Sequence, residues 1–411
     1  MITIAIASLP LLIWAYLLLG RGQFWQTRPR LERSSNQALQ PPYPSVQVVI
    51  PARNEADVLP HSLPSLLNQD YAGAVSILLV DDHSTDDTAA VAQNIAQAVC
   101  STDPQASIPL KVLAAKPLPA GWTGKLWALQ QGTEHALASE VDYILLTDAD
   151  ISHSPQSLGQ LVTLAQQRQL EMVSVMVRLR CESFWEQLLI PAFVFFFQKL
   201  YPFRWSNDPD RRTAAAAGGC VLLRPAALRR IGGMASIKQA LIDDCALAAA
   251  VKYTDAPSPP FYGTWLGLSD RICSLRPYPT LKSIWDMVAR TAYTQLHYSP
   301  ALLVGSVLGM GLVYLLSPVS LIVGLLTAQG WVALLGLGGW LLMGIAYGPV
   351  VRFYRCPLGF AAALPAIAFL YMMMTLDSAR RHWQGQGGAW KGRTYAADGA
   401  ADQKAKATAK L

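Results

Sequence analysis

Apolar positions in this chain follow three patterns. Met1 to Gly20 is almost wholly apolar and uncharged, the length that one membrane-crossing helix requires. No Lys or Arg precedes it, whereas Arg21, Arg28, Arg30 and Arg33 follow. Basic residues stay on the cytoplasmic side, so the run reads as an anchor with its N-terminus outside, not as a cleaved signal peptide. From Pro41 to about Asp270 short apolar runs alternate with helix-like stretches. Val46–Ile50, Ile77–Val80, Lys111–Leu113, Tyr143–Leu146 and Met172–Val177 are the expected strands. Continuous apolar strands between helices imply a mainly parallel sheet covered on both faces. The last third returns to long apolar runs, roughly 301–328, 331–351 and 358–376.

Two further stretches look interfacial. Phe184 to Phe203 is dense in aromatics yet carries Glu186, Gln198 and Lys199. Leu281, Ile284, Trp285 and Val288 recur at helical spacing with Lys282, Asp286 and Arg290 between them. Such a stripe packs on a protein core or lies in the plane of a membrane surface. The division that follows is an anchor at 1–20, an α/β domain at 45–275, an interfacial helix at 276–300, about three membrane helices in 301–376, and a basic tail at 377–411. Arg352 and Arg355 place one short loop inside, and the tail is basic as well (Arg380, Arg381, Lys391, Arg393, Lys404, Lys406, Lys410). If all three C-terminal runs cross, loop and tail cannot both be inside. Either one run is re-entrant or interfacial, or the tail breaks the rule.

Composition agrees. Of 411 residues, 52% are hydrophobic and only 15% charged, against roughly 25% charged in an ordinary soluble domain. The net charge of +6 comes without the clustered basic face and stacking aromatics of a nucleic-acid binder, so nucleic acid is not an expected partner. The six cysteines are scattered and lack zinc or disulfide spacing.

In open α/β sheets the ligand site lies beyond the carboxyl ends of the strands, and the polar motifs fall there. Pro51-Ala-Arg53-Asn-Glu55 follows the first strand. Asp81-Asp82-His-Ser-Thr-Asp follows the second. Thr85 can cap the next helix, and Asp86 and Asp87 suit its positive end. Asp81 and Asp82 sit at the strand end itself, where adjacent carboxylates repel unless a cation or donors compensate; they fit contacts to a base or ribose. Thr147-Asp148-Ala-Asp150 follows the fourth strand. Its alternate carboxylates can serve a ribose and a hard divalent cation, Mg²⁺ or Mn²⁺. Lys125, glycine-flanked at a helix start, is either a phosphate contact or a solvated lysine. Gly218-Gly219 allows close approach of a ligand or makes a tight turn. Asp243-Asp244 opens an alanine-rich helix, as dipole partners or, near a site, as a base for an incoming hydroxyl.

Taken in order, these motifs resemble the family 2 glycosyltransferases over about residues 45–300, and the resemblance implies a GT-A fold, a nucleotide-diphospho-sugar transferase of Rossmann-like build. The flanking membrane helices are similar in layout to ceramide glucosyltransferase. Lys116-Pro-Leu-Pro-Ala-Gly-Trp-Thr-Gly-Lys-Leu-Trp-Ala and Met287-Val-Ala-Arg-Thr-Ala-Tyr-Thr-Gln-Leu296 look like the hopene-associated glycosyltransferases, and Trp390-Lys-Gly-Arg393-x-Tyr395 like a motif that follows the last membrane helix in relatives. The resemblance implies a UDP-sugar donor held by Pro51, Arg53, Glu55, Asp81, Asp82 and Lys125. It implies Asp148 and Asp150 on ribose and metal, Asp244 as catalytic base with Asp243 beside it, and Arg290 on the leaving diphosphate. The acceptor would be a membrane lipid, with a hopanoid first and another polyprenoid or a glycerolipid after it. The place would be the cytoplasmic face of a bacterial inner membrane. Many lipid and polysaccharide members carry Gln/Arg-x-x-Arg-Trp; here only Arg290 of that motif remains, which speaks against a processive polysaccharide synthase. A catalytically silent partner in a lipid-modifying complex is the reading from another class, and it gives no reason to keep Asp82, Asp150 and Asp244 together.

Overall fold

The computed structural model describes residues 2–34, 40–102, 108–254, 263–385, 389–390 and 393–394. Most of the basic tail, with Lys391, Lys404, Lys406, Lys410 and the motif residue Tyr395, lies outside them. The chain forms two units. One comprises 28–180 and 205–277; the other comprises 1–27, 181–204 and 278–411.

The first unit is built on an eight-stranded sheet. Its strands are β1 (Val46–Ala52), β2 (Val75–Asp81), β3 (Leu110–Ala114), β4 (Tyr143–Thr147), β5 (Ile151–Ser152), β6 (Met172–Arg178), β7 (Cys220–Leu223) and β8 (Thr264–Ser274), in the order β3-β2-β1-β4-β7-β6-β8-β5. All five strands expected from the apolar runs are present. The β3-β2-β1-β4 half is parallel, as expected. The other half is mixed, because β7 runs antiparallel between β4 and β6 and β5 runs antiparallel to β8.

Alternation explains why the parallel strands read as unbroken apolar runs. Val48, Ile50, Ile77, Leu79, Tyr143 and Leu145 face one core. Val49, Ile144 and Leu146, with Leu78 and Val80, face the other. A strand buried on both faces has no polar positions to alternate with. The helix Gly124–Ala138 packs so closely that a Cβ at Gly132 would collide with the Val49 side chain. The helix after β2 spans Thr88–Thr102, and here one expectation is corrected. Thr85 does not cap it: its N–H and hydroxyl donate to Asn54 Oδ1, at 2.8 and 3.3 Å. Asp86 Oδ1 takes the helix end instead, accepting from the Thr88 N–H at 3.2 Å and the Thr88 hydroxyl at 2.5 Å.

The second unit is helical. Among the described residues three helices are long and apolar enough to cross a membrane: Ile2–Gly20, Pro300–Leu326 and Gly330–Phe353. Their surfaces are largely apolar and open, with Leu19 85%, Leu326 81% and Trp331 72% exposed. Small residues set the packing of the last two. A Cβ at Gly324 would meet the Ala333 backbone, one at Gly336 the Leu321 backbone, and one at Gly339 the Ser317 hydroxyl; such seams let membrane helices approach closely. The third expected C-terminal run divides differently, into a short turn at Leu358–Ala361 and a helix at Leu364–Trp383. That helix ends in Asp377, Arg380 and Arg381 and buries Ile367, Tyr371 and Met374 within its unit. It is not among the three crossing candidates. Helices Phe184–Leu200 and Leu281–Ala289 also belong to this unit. Buried Glu186 ties the first of them down by accepting from the backbone N–H groups of Ser183 at 2.9 Å and Tyr278 at 2.6 Å. Trp285 and Arg381 bind Asp377, at 2.8 and 2.7 Å, so the stripe read as interfacial is partly a packing face.

Candidate active site

A small open cleft in the α/β unit is lined by Pro51, Lys125, Asp148, Gly218, Asp243 and Asp244, with Leu129, Met234 and Leu247 beside them. Five separate sequence motifs therefore converge on one place, and each arrives by a strand end or helix start. Asp148 follows β4. Thr147, the last residue of β4, donates its hydroxyl to the Gly219 carbonyl at 2.9 Å, which fixes the glycine pair beside Asp148. Gly218 then passes under Asp244 at the start of the Asp243–Tyr253 helix, its N–H donating to Asp244 Oδ2 at 2.9 Å. A Cβ at Gly218 would stand 3.4 Å from the Asp244 Cβ and 3.6 Å from Lys125 Nζ. Those are ordinary contact distances, so what Gly218 gives Asp244 is its backbone N–H.

Lys125 lies in the first turn of Gly124–Ala138, whose N-cap hydroxyl, Thr123, accepts from the Leu126 N–H at 3.4 Å. The Lys125 ammonium bridges Asp148, at 2.8 Å, and Asp243, at 3.7 Å. Of its two sequence readings, the solvated lysine is excluded by this bridge and by a side chain only 22% exposed. Burial alone would lower its pKa, but Asp148 and Asp243 outweigh burial and hold it charged, above the ordinary lysine value. Burial raises the Asp148 carboxyl; Lys125 opposes that shift and Asp150 and Asp243 add to it. Asp244 is pushed up to about 6, first by burial and then by the Asp243 charge, against the N–H donors of Cys245 and Gly218 and the ammonium of Lys125.

The remaining expected residues form a second group. Asp82 is fully buried. Arg53 Nη1 donates to the Asp82 and His83 carbonyls at 2.5 and 3.2 Å and stands 3.8 Å from Asp82 Oδ2. Asp81 is bound by the Ser84 N–H and hydroxyl. Glu55 and Asp150, each 6% exposed, share one partner absent from the sequence reading. Arg276 donates from Nε to Asp150 Oδ2 at 3.0 Å and from Nη2 to Glu55 Oε1 at 3.1 Å. The Ser274 hydroxyl also donates to Asp150 Oδ2, at 3.0 Å. Arg276 follows β8 directly, and nothing in its spacing marks it. Arg290 caps the C-terminal end of Leu281–Ala289 in the helical unit, with an exposed side chain.

Among the described residues no group of three or more His, Cys, Asp or Glu could cage a metal by itself. Asp148 Oδ1 is taken by Lys125 and Asp150 Oδ2 by Arg276 and Ser274; Asp148 Oδ2 and Asp150 Oδ1 stand outside those bonds. Two carboxylates of this kind fit a hard cation that fills its other positions with substrate phosphates and water.

Residues 47–232 match the family model described as "Glycosyl transferase family 2". The α/β unit is therefore a family 2 glycosyltransferase domain, and its mixed sheet is the GT-A fold. Two curated relatives from Staphylococcus aureus are 4,4'-diaponeurosporenoate glycosyltransferases. The one from strain bovine RF122 / ET3-1 is 30% identical over 127 residues, 31% of this chain and 29% of the relative. The one from strain MRSA252 is 30% identical over 108 residues, 26% of this chain and 24% of the relative. The matched segment thus spans less than a third of either relative. Among solved structures, a mannosyltransferase from Pyrobaculum calidifontis, in complex with GDP-Man and Mn²⁺, superposes with a TM-score of 0.52 at 18% identity, covering 93% of this chain and 99% of that one. That likeness concerns the fold.

Proposed function

We propose that the chain transfers one sugar from a UDP-sugar to a hydroxyl of a membrane lipid, a hopanoid or related polyprenoid, with inversion at the anomeric carbon. The observation that carries this reading is the convergence of Asp148, Lys125, Asp243 and Asp244 on one cleft, with Asp244 pushed up to about 6. A base with that proton affinity is largely ionised at neutral pH yet still takes a proton well. The two backbone N–H groups of Gly218 and Cys245, at 2.9 and 2.7 Å, hold its carboxylate in one orientation.

In the proposed reaction the acceptor oxygen forms its bond to the anomeric carbon while the bond from that carbon to the diphosphate oxygen breaks. The acceptor proton passes to Asp244, and the electron pair leaves on the nucleoside diphosphate. Lys125 places fixed positive charge where the diphosphate gathers negative charge. A divalent cation held by Asp148 and Asp150 would, when bound, neutralise part of that charge. Pro51, Arg53, Glu55, Asp81 and Asp82 are proposed to shape the nucleotide pocket.

The membrane reading follows from the three apolar helices. With an outside N-terminus, Ile2–Gly20 enters the cytoplasm, Pro300–Leu326 leaves it and Gly330–Phe353 returns. If Leu364–Trp383 does not cross, Arg352, Arg355 and the basic tail all stay inside. The curated relatives are named for glycosylating 4,4'-diaponeurosporenoate, which favours an extended apolar acceptor.

The test uses the purified chain in detergent with Mn²⁺ and a panel of UDP- and GDP-sugars, following nucleoside diphosphate release with and without extracted membrane lipid. Lipid-stimulated release from one UDP-sugar, lost in Asp150→Ala, is expected. Release from GDP-sugars alone would overturn the donor assignment. Binding without release from any donor would favour the silent-partner alternative.

A further inference from the structure

Arg276 is the largest feature of the site that the proposed reaction leaves without a role. Its guanidinium stands between two carboxylates that are both almost wholly inside the protein, Glu55 and Asp150. Two buried carboxylates without a cation would be costly. One planar guanidinium answers both, Nε on Asp150 and Nη2 on Glu55. Because the fork is rigid, it fixes the two carboxylates relative to each other and fixes which Asp150 oxygen it occupies. Ser274 donates to that same oxygen, Oδ2, at 3.0 Å, so both donors converge on one atom and leave Oδ1 to the other side.

The backbone of this segment is held independently of the Arg276 side chain. Ile151 and Ser152 pair with Ser274 and Cys273, and the Leu275 N–H donates to the Asp150 carbonyl at 2.8 Å. The C-terminal end of β8 is therefore clamped to the strand that follows Asp150, which places Arg276 beside it. Removing the guanidinium frees the Asp150 side chain without releasing the strand.

We infer that Arg276 is a positioning residue that turns Asp150 so that its Oδ1 meets a divalent cation carried in with a nucleoside diphosphate. It touches neither the sugar nor the reacting atoms; it acts through Asp150 and Glu55. The inference rests on the glycosyltransferase reading of the cleft.

The experiment compares full-length wild type with Arg276→Met and Arg276→Lys. Binding of UDP is measured by calorimetry in Mn²⁺ and in chelator, Mn²⁺ alone and with UDP is followed by its paramagnetic resonance, and the melting temperature is recorded beside both. Outer partners of metal ligands typically change metal affinity about 10–100-fold. Arg276→Met is expected to weaken Mn²⁺-dependent UDP binding by at least roughly tenfold and to change chelator-state binding little; it should also lower the melting temperature, because Glu55 and Asp150 lose their cation, so binding is compared well below that temperature, where each variant is folded. Arg276→Lys should lie between, since an ammonium answers the charge but not the fork. Wild-type affinity of Arg276→Met in Mn²⁺ would overturn the inference. An equal loss with and without Mn²⁺ would also overturn it, in favour of direct nucleotide contact. A wild type whose UDP binding ignores Mn²⁺ would overturn the cation reading beneath it, and is told apart because the wild type itself fails.

Discussion

The two units handle buried polar atoms differently. In the α/β unit charge is answered by charge: Glu171 takes Arg230 through two bonds at 2.5 and 2.7 Å, buried Glu55 and Asp150 share the half-buried Arg276, and Asp148 and Asp243 share Lys125. In the helical unit the seam between Pro300–Leu326 and Gly330–Phe353 is made of Ser317, Ser320, Gly324, Ala333, Gly336 and Gly339, and backbone approach replaces ion pairing. The difference teaches that the first unit is held together locally by paired charge and the second by fitted shape. Substitutions in one should therefore leave the other's property intact.

The largest separation is expected at Asp244. Asp244→Asn keeps the size of the side chain and an acceptor for one of the Gly218 and Cys245 N–H groups, which donate to different carboxylate oxygens, but no base remains. A drop in kcat of about 10²–10⁴-fold is expected, with UDP-sugar affinity nearly unchanged by calorimetry. If affinity fell as far as kcat, Asp244 would be a binding residue. Next is Gly336→Leu, which drives a side chain into the Leu321 backbone. It should cost about 1–3 kcal/mol, read as a lower unfolding midpoint in detergent, while UDP binding to the still-folded fraction is unchanged. An unshifted midpoint would show that the helices pack elsewhere. The smallest effect concerns pH. Asp244 must be ionised to accept a proton, so activity should rise through about pH 6 and level off above it. Because the Asp243 charge helps to raise that value, Asp243→Asn should move the acid limb to lower pH. A limb that stays in place would assign it to another group.

Much of the α/β unit was legible because its strands are buried on both faces and its motifs sit at strand ends; β1 to β4 and β6 follow directly from apolar runs. What was hidden has physical causes. β8 interrupts its apolar run with Gly267, Ser269, Asp270 and Arg271, so it lacks the run that marks a strand covered on both faces. Arg276 has no local signal, since its meaning comes from Glu55, more than two hundred residues away, and from Asp150. The cap at Asp86 was misassigned to Thr85 because sequence cannot tell that the Thr85 donors are already given to Asn54. In the C-terminal third, hydropathy marked 358–376 as a span. It could not see that Tyr371 and Met374 face protein, or that the helix runs on into Asp377, Arg380 and Arg381.

The pairing of β6 with β8 has a consequence for how this protein is made. About a hundred residues separate the two strands, and at ribosomal rates of about 5–20 residues per second the β6 edge waits on the order of 5–20 s for its partner. During that interval the apolar helix Phe184–Leu200 has already emerged, while the antiparallel strand that must slot between β4 and β6 has only just followed. The nascent chain thus carries an unfinished sheet edge, open to wrong pairing, until Ser274 is made. A ribosome stalled before that point would release a chain with an open edge and Asp150 still lacking Arg276.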